Sequence, residues 1–165
     1  MSSIGLRRLL AASTVVWASA LFLGPLIASR QRVGVIAYVV SATIYEIGSL
    51  ICHQRPERSF HLWGAQLPVC ARCVGIYVGG AVAAVAAIAS QGRGWQDSLV
   101  GRAMPAVLVG AIPSVVTLIY EWTTGVPSGN WTRSIAGFPL GAIVVWIIAG
   151  ASSAGSRDTL TGGAR

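Results

Sequence analysis

Charge is nearly absent from this chain except at intervals of about 20 residues, the length of a helix that crosses a bilayer. Between Arg8 and Arg30 lie 21 uncharged residues; between Arg32 and Arg55 lie 22, interrupted by Glu46; between Arg72 and Arg93 lie 20. From Ala103 to Thr132 the only charge is Glu121, and from Ser134 to Ser156 there is none. The spacing predicts five transmembrane helices, near 9–28, 33–51, 70–90, 104–123 and 136–152. The fold class that follows is all-α: a multi-pass, polytopic helical protein of the cell membrane. Residues 1–152 form its single transmembrane domain, and 153–165 a small, polar, disordered tail. Composition agrees, with 10% charged residues and a mean hydropathy of +0.68, where a soluble domain carries about 25% charge. No room is left for a soluble catalytic domain.

All 12 basic residues are arginine, and the net charge is +7. The arginines punctuate spans and form no basic block, so anionic lipid headgroups explain them and nucleic acid is not expected as a partner. "RRLL" and "ASA" at 18–20 resemble parts of a signal peptide. The apolar run goes on to Ile27, however, too long for a typical signal core, and an uncleaved helix is expected. Setting Arg55, Arg58, Arg72 and Arg133 aside as site residues, the positive-inside rule puts the N-terminus outside, the C-terminus inside and the 52–73 loop outside. Trp17, Trp63, Trp95, Trp122 and Trp146 read as interfacial anchors, as does Trp131, with Asn130 as a cap.

Two stretches align without a gap at an offset of 75 residues. "IYEIGSLICHQRPERS" begins at Ile44 and "IYEWTTGVPSGNWTRS" at Ile119. Beyond them, "GIYVG" from Gly75 has a counterpart in "GFPLG" from Gly137. Each is a Gly-x-x-x-Gly, which lets helix backbones approach closely. Spans two and three would then repeat as spans four and five, two hairpins running in the same direction about an axis along the membrane normal. The same glycine faces offer a route to a homo-oligomer. The repeat pairs Glu46 with Glu121 and Arg58 with Arg133, each arginine twelve residues after its glutamate. A carboxylate in hydrocarbon costs on the order of 3 kcal/mol. Glu46 is therefore expected in a buried ion pair, whereas Glu121, four residues before Gly125, is near enough to the interface to reach water.

The chemistry concentrates in one window. Cys52, Cys70 and Cys73, both histidines (His53 and His61), Gln54, Arg58 and Arg72 all fall within residues 52–73. Pro68 is a good helix opener, so the C-x-x-C of Cys70 and Cys73 sits in a first helical turn. Outward N–H groups there favour thiolate. A hairpin over 53–67 could bring Cys52 to the pair. Three thiolates and one histidine make an ordinary zinc shell, and soft ligands also accept iron or copper. His53 adjoins Cys52 and His61 is sterically easier; the choice stays open. Two other readings compete: a thiol–disulfide pair, and cysteines packed as inert apolar residues. Glu121 and Arg133 complete the polar set. Arg133 is a candidate for an anionic substrate or headgroup. Nothing resembles a phosphate-binding glycine loop, so no nucleotide cofactor is expected.

The run "CHQRPERSF…LPVCARCVGIYVG", with "YE" before it and "NWTRS…GFPLG" after the fourth span, resembles a prokaryotic domain-of-unknown-function family of small integral membrane proteins. The resemblance covers roughly 40–145 and implies Cys52, His53, Gln54, Arg58, Cys70, Arg72, Cys73, Gly75 and Gly79 as motif positions. It implies no activity. The leading expectation is a metal-binding membrane protein. A small transporter-like module using intramembrane Glu/Arg pairs and a membrane thiol oxidoreductase are the alternatives, with the substrate unknown.

Overall fold

The computed structural model describes residues 3–90 and 102–161, and these contain five α-helices. They are α1 (Ser3–Ala28), α2 (Val35–Ile51), α3 (Ala71–Ala89), α4 (Ala103–Thr124) and α5 (Asn130–Thr161). Between α2 and α3 lie a single 3-10 turn, Pro56–Arg58, and a two-stranded hairpin, β1 (His61–Leu62) and β2 (Ala65–Gln66). Arg93 and Trp95 lie outside the described residues, as do residues 162–165 of the expected tail. Among the described residues, four of these helices are long and apolar enough to cross a membrane: Gly5–Ala28, Ala71–Ala89, Ala103–Thr124 and Asn130–Ala151. Contact with a lipid bilayer follows from them.

The bundle is organised around α3 and α5, which run parallel with their backbones in contact. Gly75 faces the Ser134 carbonyl and Gly79 that of Phe138. Reciprocally, Gly137 faces the Arg72 carbonyl and Gly141 that of Ile76. Each glycine thus meets the residue three positions before its partner glycine, the arrangement a twofold axis parallel to the helices produces. A Cβ at any of the four would run into those carbonyls. The parallel relation expected of spans three and five is borne out, but both glycine faces are consumed inside one chain. They are not available to a second copy, which corrects the expected route to an oligomer.

α4 lies antiparallel to α5. Ser114 Oγ donates to the Ala136 carbonyl at 2.9 Å, and one end is tied by Glu121 and Arg133. α1 lies antiparallel to α3: Leu21 shares an apolar cluster with Val74, and Trp17 meets Tyr77 edge-on at 6.0 Å. At the far end Arg7 Nε donates to the Ala149 carbonyl at 2.9 Å. Because α1 and α3 run in opposite directions, the segment joining them leaves and re-enters the bundle at the same end. α2, with 17 residues, spans about 25 Å at 1.5 Å per residue, less than the hydrocarbon thickness of about 30 Å. It lies at that end, held through Ser41, Ile44 and Gly48, with Ser41 Oγ donating to the Gly24 carbonyl at 3.1 Å. The start of α1 and the later part of α5 therefore meet at the opposite end. This corrects the expectation of termini on opposite sides, which counted α2 as a crossing.

The tryptophans divide. Trp63, Trp122 and Trp131 are exposed, as anchors should be. Trp17 packs inside the bundle, and the indole nitrogen of Trp146 is buried. Asn130 is the first residue of α5, and its side chain reaches across to donate to the Ser59 carbonyl at 2.9 Å.

Candidate metal centre

α2 stops where the sequence can no longer be helical. Arg55 precedes Pro56 and is extended (φ −64°, ψ 125°), as a residue before proline prefers. Cys52 is already extended at φ −147°, and Gln54 adopts a left-handed φ of 45°, strained for a residue with a side chain. Three hydrogen bonds hold that strained turn. Gln54 Nε2 donates to the Tyr45 carbonyl at 2.9 Å and the Pro68 carbonyl at 2.7 Å, and Gln66 Nε2 donates to the Gln54 carbonyl at 2.6 Å. The Tyr45 hydroxyl donates to the Gln66 carbonyl. Gly48 makes room for this latch, because a Cβ there would strike the Pro68 carbonyl. Trp63 (φ 53°) and Gly64 (φ 80°) turn the β-hairpin with two left-handed residues, the type I′ geometry that suits strand twist.

The latch brings the end of α2 onto the start of α3. Cys70 is the N-cap residue of α3 and Cys73 follows within its first turn. The Cys70 backbone N–H donates to Cys52 Sγ at 3.2 Å, and the Cys70 and Cys73 sulfurs are 3.4 Å apart. All three sulfurs lie within 4.8 Å of one another, and all three cysteines are free. Tetrahedral zinc with Zn–S bonds of about 2.3 Å requires sulfurs about 3.8 Å apart, so the triangle needs little adjustment to hold one ion. The Cys70 thiol is lowered from 9.0 to about 5, first by hydrogen bonding from Cys73, opposed by burial, and further by backbone N–H groups and Cys52.

Beside the sulfurs is a cavity of about 550 Å³. Its wall includes the three cysteines, His53, Gln54, Arg55, Arg58, Arg72 and Arg133. Arg133 is buried, with 2% exposure; its Nε donates to Glu121 Oε1 at 2.9 Å. Arg72 Nη2 approaches the same oxygen at 3.6 Å and donates to Thr117 Oγ1 at 3.1 Å. Ser128 donates its hydroxyl to that carboxylate. Glu121 thus joins α3, α4 and α5 at the site.

The sequence-derived candidates therefore separate. Cys52, Cys70 and Cys73 come together, with His53, Gln54, Arg58, Arg72 and Arg133 around one cavity. His61 stands on β1 with its side chain exposed and outside the cavity wall. Glu46 is exposed on α2, and no ion pair among the described residues includes it. The burial expectations for the two glutamates are reversed. Tyr45, Gly48 and Gln66 also belong to the site's support without a motif of their own, although Tyr45 is part of the repeated "IYE" and Gly48 lies one helical turn before Cys52.

The profile of the family described as "Predicted membrane protein (DUF2085)" matches residues 52–147, starting at Cys52 and ending in α5. That is 147 − 52 + 1 = 96 of 165 residues, more than half of the chain. The chain belongs to this family. An uncharacterized protein of Methanocaldococcus jannaschii is 40% identical over 67 residues, which are 41% of this chain and 43% of that protein. An uncharacterized protein of Methanothermobacter thermautotrophicus is 59% identical over 29 residues, 18% of this chain and 26% of that protein. The chain thus spans less than half the length of either relative. No solved structure matches.

Proposed function

We propose that this DUF2085 protein holds one metal ion, zinc foremost, on the thiolates of Cys52, Cys70 and Cys73 at one membrane face. The observation that carries the reading is the sulfur triangle, with its three ligand atoms within 4.8 Å. A hydrogen bond from a backbone N–H to a sulfur, as at Cys52, is the kind of outer contact that orients and stabilises a metal thiolate. Of the two histidines, His53 shares the cavity wall with the cysteines, and its exposed side chain would have to turn inward to take the fourth position. His61 would require the β-hairpin to move. A fourth position left to a small molecule would make the centre reactive rather than structural.

Elemental analysis of detergent-purified protein tests this, alongside a Cys70→Ser/Cys73→Ser variant. About one zinc, iron or copper per chain, lost in the variant, supports the reading and names the ion. Absence of metal from folded protein, with three titratable thiols, rules it out. A second reading, thiol–disulfide exchange, is favoured by the 3.4 Å Cys70–Cys73 separation. It would be supported by a reversible disulfide in metal-free protein.

A further inference from the structure

The cavity beside the sulfurs carries more positive charge than its own carboxylates balance. Four guanidinium groups line it: Arg55, Arg58, Arg72 and Arg133. Glu121 serves both Arg72 and Arg133, and Glu57 meets Arg55 at 4.0 Å. Four arginines against two carboxylates leave an excess of 4 − 2 = +2. A zinc ion on three thiolates carries a net charge of −1, so even a filled metal centre leaves the wall positive.

Hydrogen bonding leaves a matching gap. Arg133 is 98% buried as a side chain (2% exposed). Its Nε is taken by Glu121 at 2.9 Å, and its Nη1 by Asn130 Oδ1 at 3.3 Å and the Glu57 carbonyl at 3.5 Å. Its Nη2 is buried with no hydrogen-bond partner, as is the Nε of Arg72. An unmet buried guanidinium donor costs more than an unmet neutral one, and native proteins rarely leave one without a ligand or a role. Arginine forks match the oxygens of phosphate, and the geometry is pre-organised here because Glu121 and Asn130 already fix the fork.

We propose that this cavity is a binding site for a phosphate group, seated on Arg133 and Arg72 with Arg58 on the same wall. An excess of one to two positive charges suits a phosphate ester or diester. The donor can be a water-soluble phosphate compound or the headgroup of an anionic phospholipid at the membrane face. The site shares a wall with the sulfurs but needs no ion among them, so it stands or falls separately from the metal reading.

The test is direct binding to the full chain. Inorganic phosphate is titrated calorimetrically into protein in a zwitterionic detergent. In parallel, the protein is placed in nanodiscs of phosphatidylcholine with or without phosphatidylglycerol, and bound lipid is counted by native mass spectrometry. Expected is saturable binding of one phosphate group per chain. Arg58→Gln, which disturbs no ion pair described above, and Arg133→Lys, which gives up the free Nη2, should each weaken it at least about tenfold. Retention in the Cys70→Ser/Cys73→Ser variant separates this site from the metal centre. Binding of inorganic phosphate identifies a soluble ligand; retention of phosphatidylglycerol alone identifies a lipid. If Arg133→Lys does not fold, Arg58→Gln decides. No saturable binding of either probe to folded wild-type protein, or binding unchanged in Arg58→Gln, overturns the proposal.

Discussion

Residues 44–59 and 119–134 begin with the same Ile-Tyr-Glu and end with the same Arg-Ser, yet they are used in opposite ways. In the second stretch the glutamate turns inward. Glu121 is buried and accepts hydrogen bonds from Arg133 and Ser128. In the first the glutamate turns outward, and Glu46 is exposed on a helix that lies at the end of the bundle. There the neighbouring tyrosine does the inward work, with Tyr45 joining Gln66 and Gln54 in the latch, while its counterpart Tyr120 is exposed. The difference is set by the helix before the turn. α4 is a full crossing packed along α5, so its last turn must hide a carboxylate and does so with an arginine. α2 lies at the end of the bundle and shows it only one narrow face, through Ser41, Ile44 and Gly48, which a glutamate need not occupy. Similar words thus build two walls of one site, one of sulfur and one of charge.

The sharpest way to break this contrast is topology, where the outcome is all or none. Reporters fused ahead of α1 and after α5 should respond alike, and a cysteine placed in residues 29–34 should label from the face that carries Cys52. Opposite responses at the two fusions would make α2 a fifth crossing. Next in size is the charge wall. Glu121→Ala or Arg133→Ala leaves a buried charge without its partner and should lose about 3–5 kcal/mol in detergent unfolding. Glu46→Gln should stay within about 0.5 kcal/mol, as surface changes do. Equal losses at both glutamates would remove the asymmetry described here.

A smaller effect, about 1.4–2.7 kcal/mol as a 10- to 100-fold loss of metal affinity, is expected for Gln54→Ala, because it releases the latch on the Pro68 carbonyl that holds the Cys70 N–H against Cys52. Competition with a chelator measures it, and unchanged affinity would mean the sulfurs hold the ion unaided. The mildest test titrates the metal-free protein. Cys70 is lowered to about 5, so it should be thiolate above that pH and alkylate readily at pH 7, slowing only as pH falls through about 5. A rate still climbing between pH 7 and 9 would show an ordinary thiol.

Much of this was legible in the sequence, for reasons the particular residues make plain. The arginine spacing marks spans one, three, four and five because hydrocarbon excludes charge wherever the fold places it. The glycine spacing foretells the parallel contact of α3 and α5, since only glycines permit backbones so close. The gathering of Cys52 with Cys70 and Cys73 follows from a short loop between two apolar segments. What could not be read was direction. Hydropathy alone does not distinguish α2 from a crossing helix, because 17 apolar residues can lie at a membrane face as well as span it. Nor does it say which of two similar glutamates faces inward, since that depends on how each helix meets its neighbours. The latch was hidden because its strongest contacts run from side chains to the carbonyls of Tyr45, Gln54 and Pro68, which leave no mark in composition.

The reciprocal seating of α3 against α5 also has a temporal consequence. Arg133 follows Cys73 by 60 residues, which a ribosome adds in about 3–12 s. Through that interval all three cysteines have been synthesised, while the helix that supplies Arg133 and buries α3 has not. On the proposed reading, a metal would therefore meet the sulfurs before the arginine wall closes beside them. A centre of that kind would mature during translation, ahead of the bundle that finally encloses it.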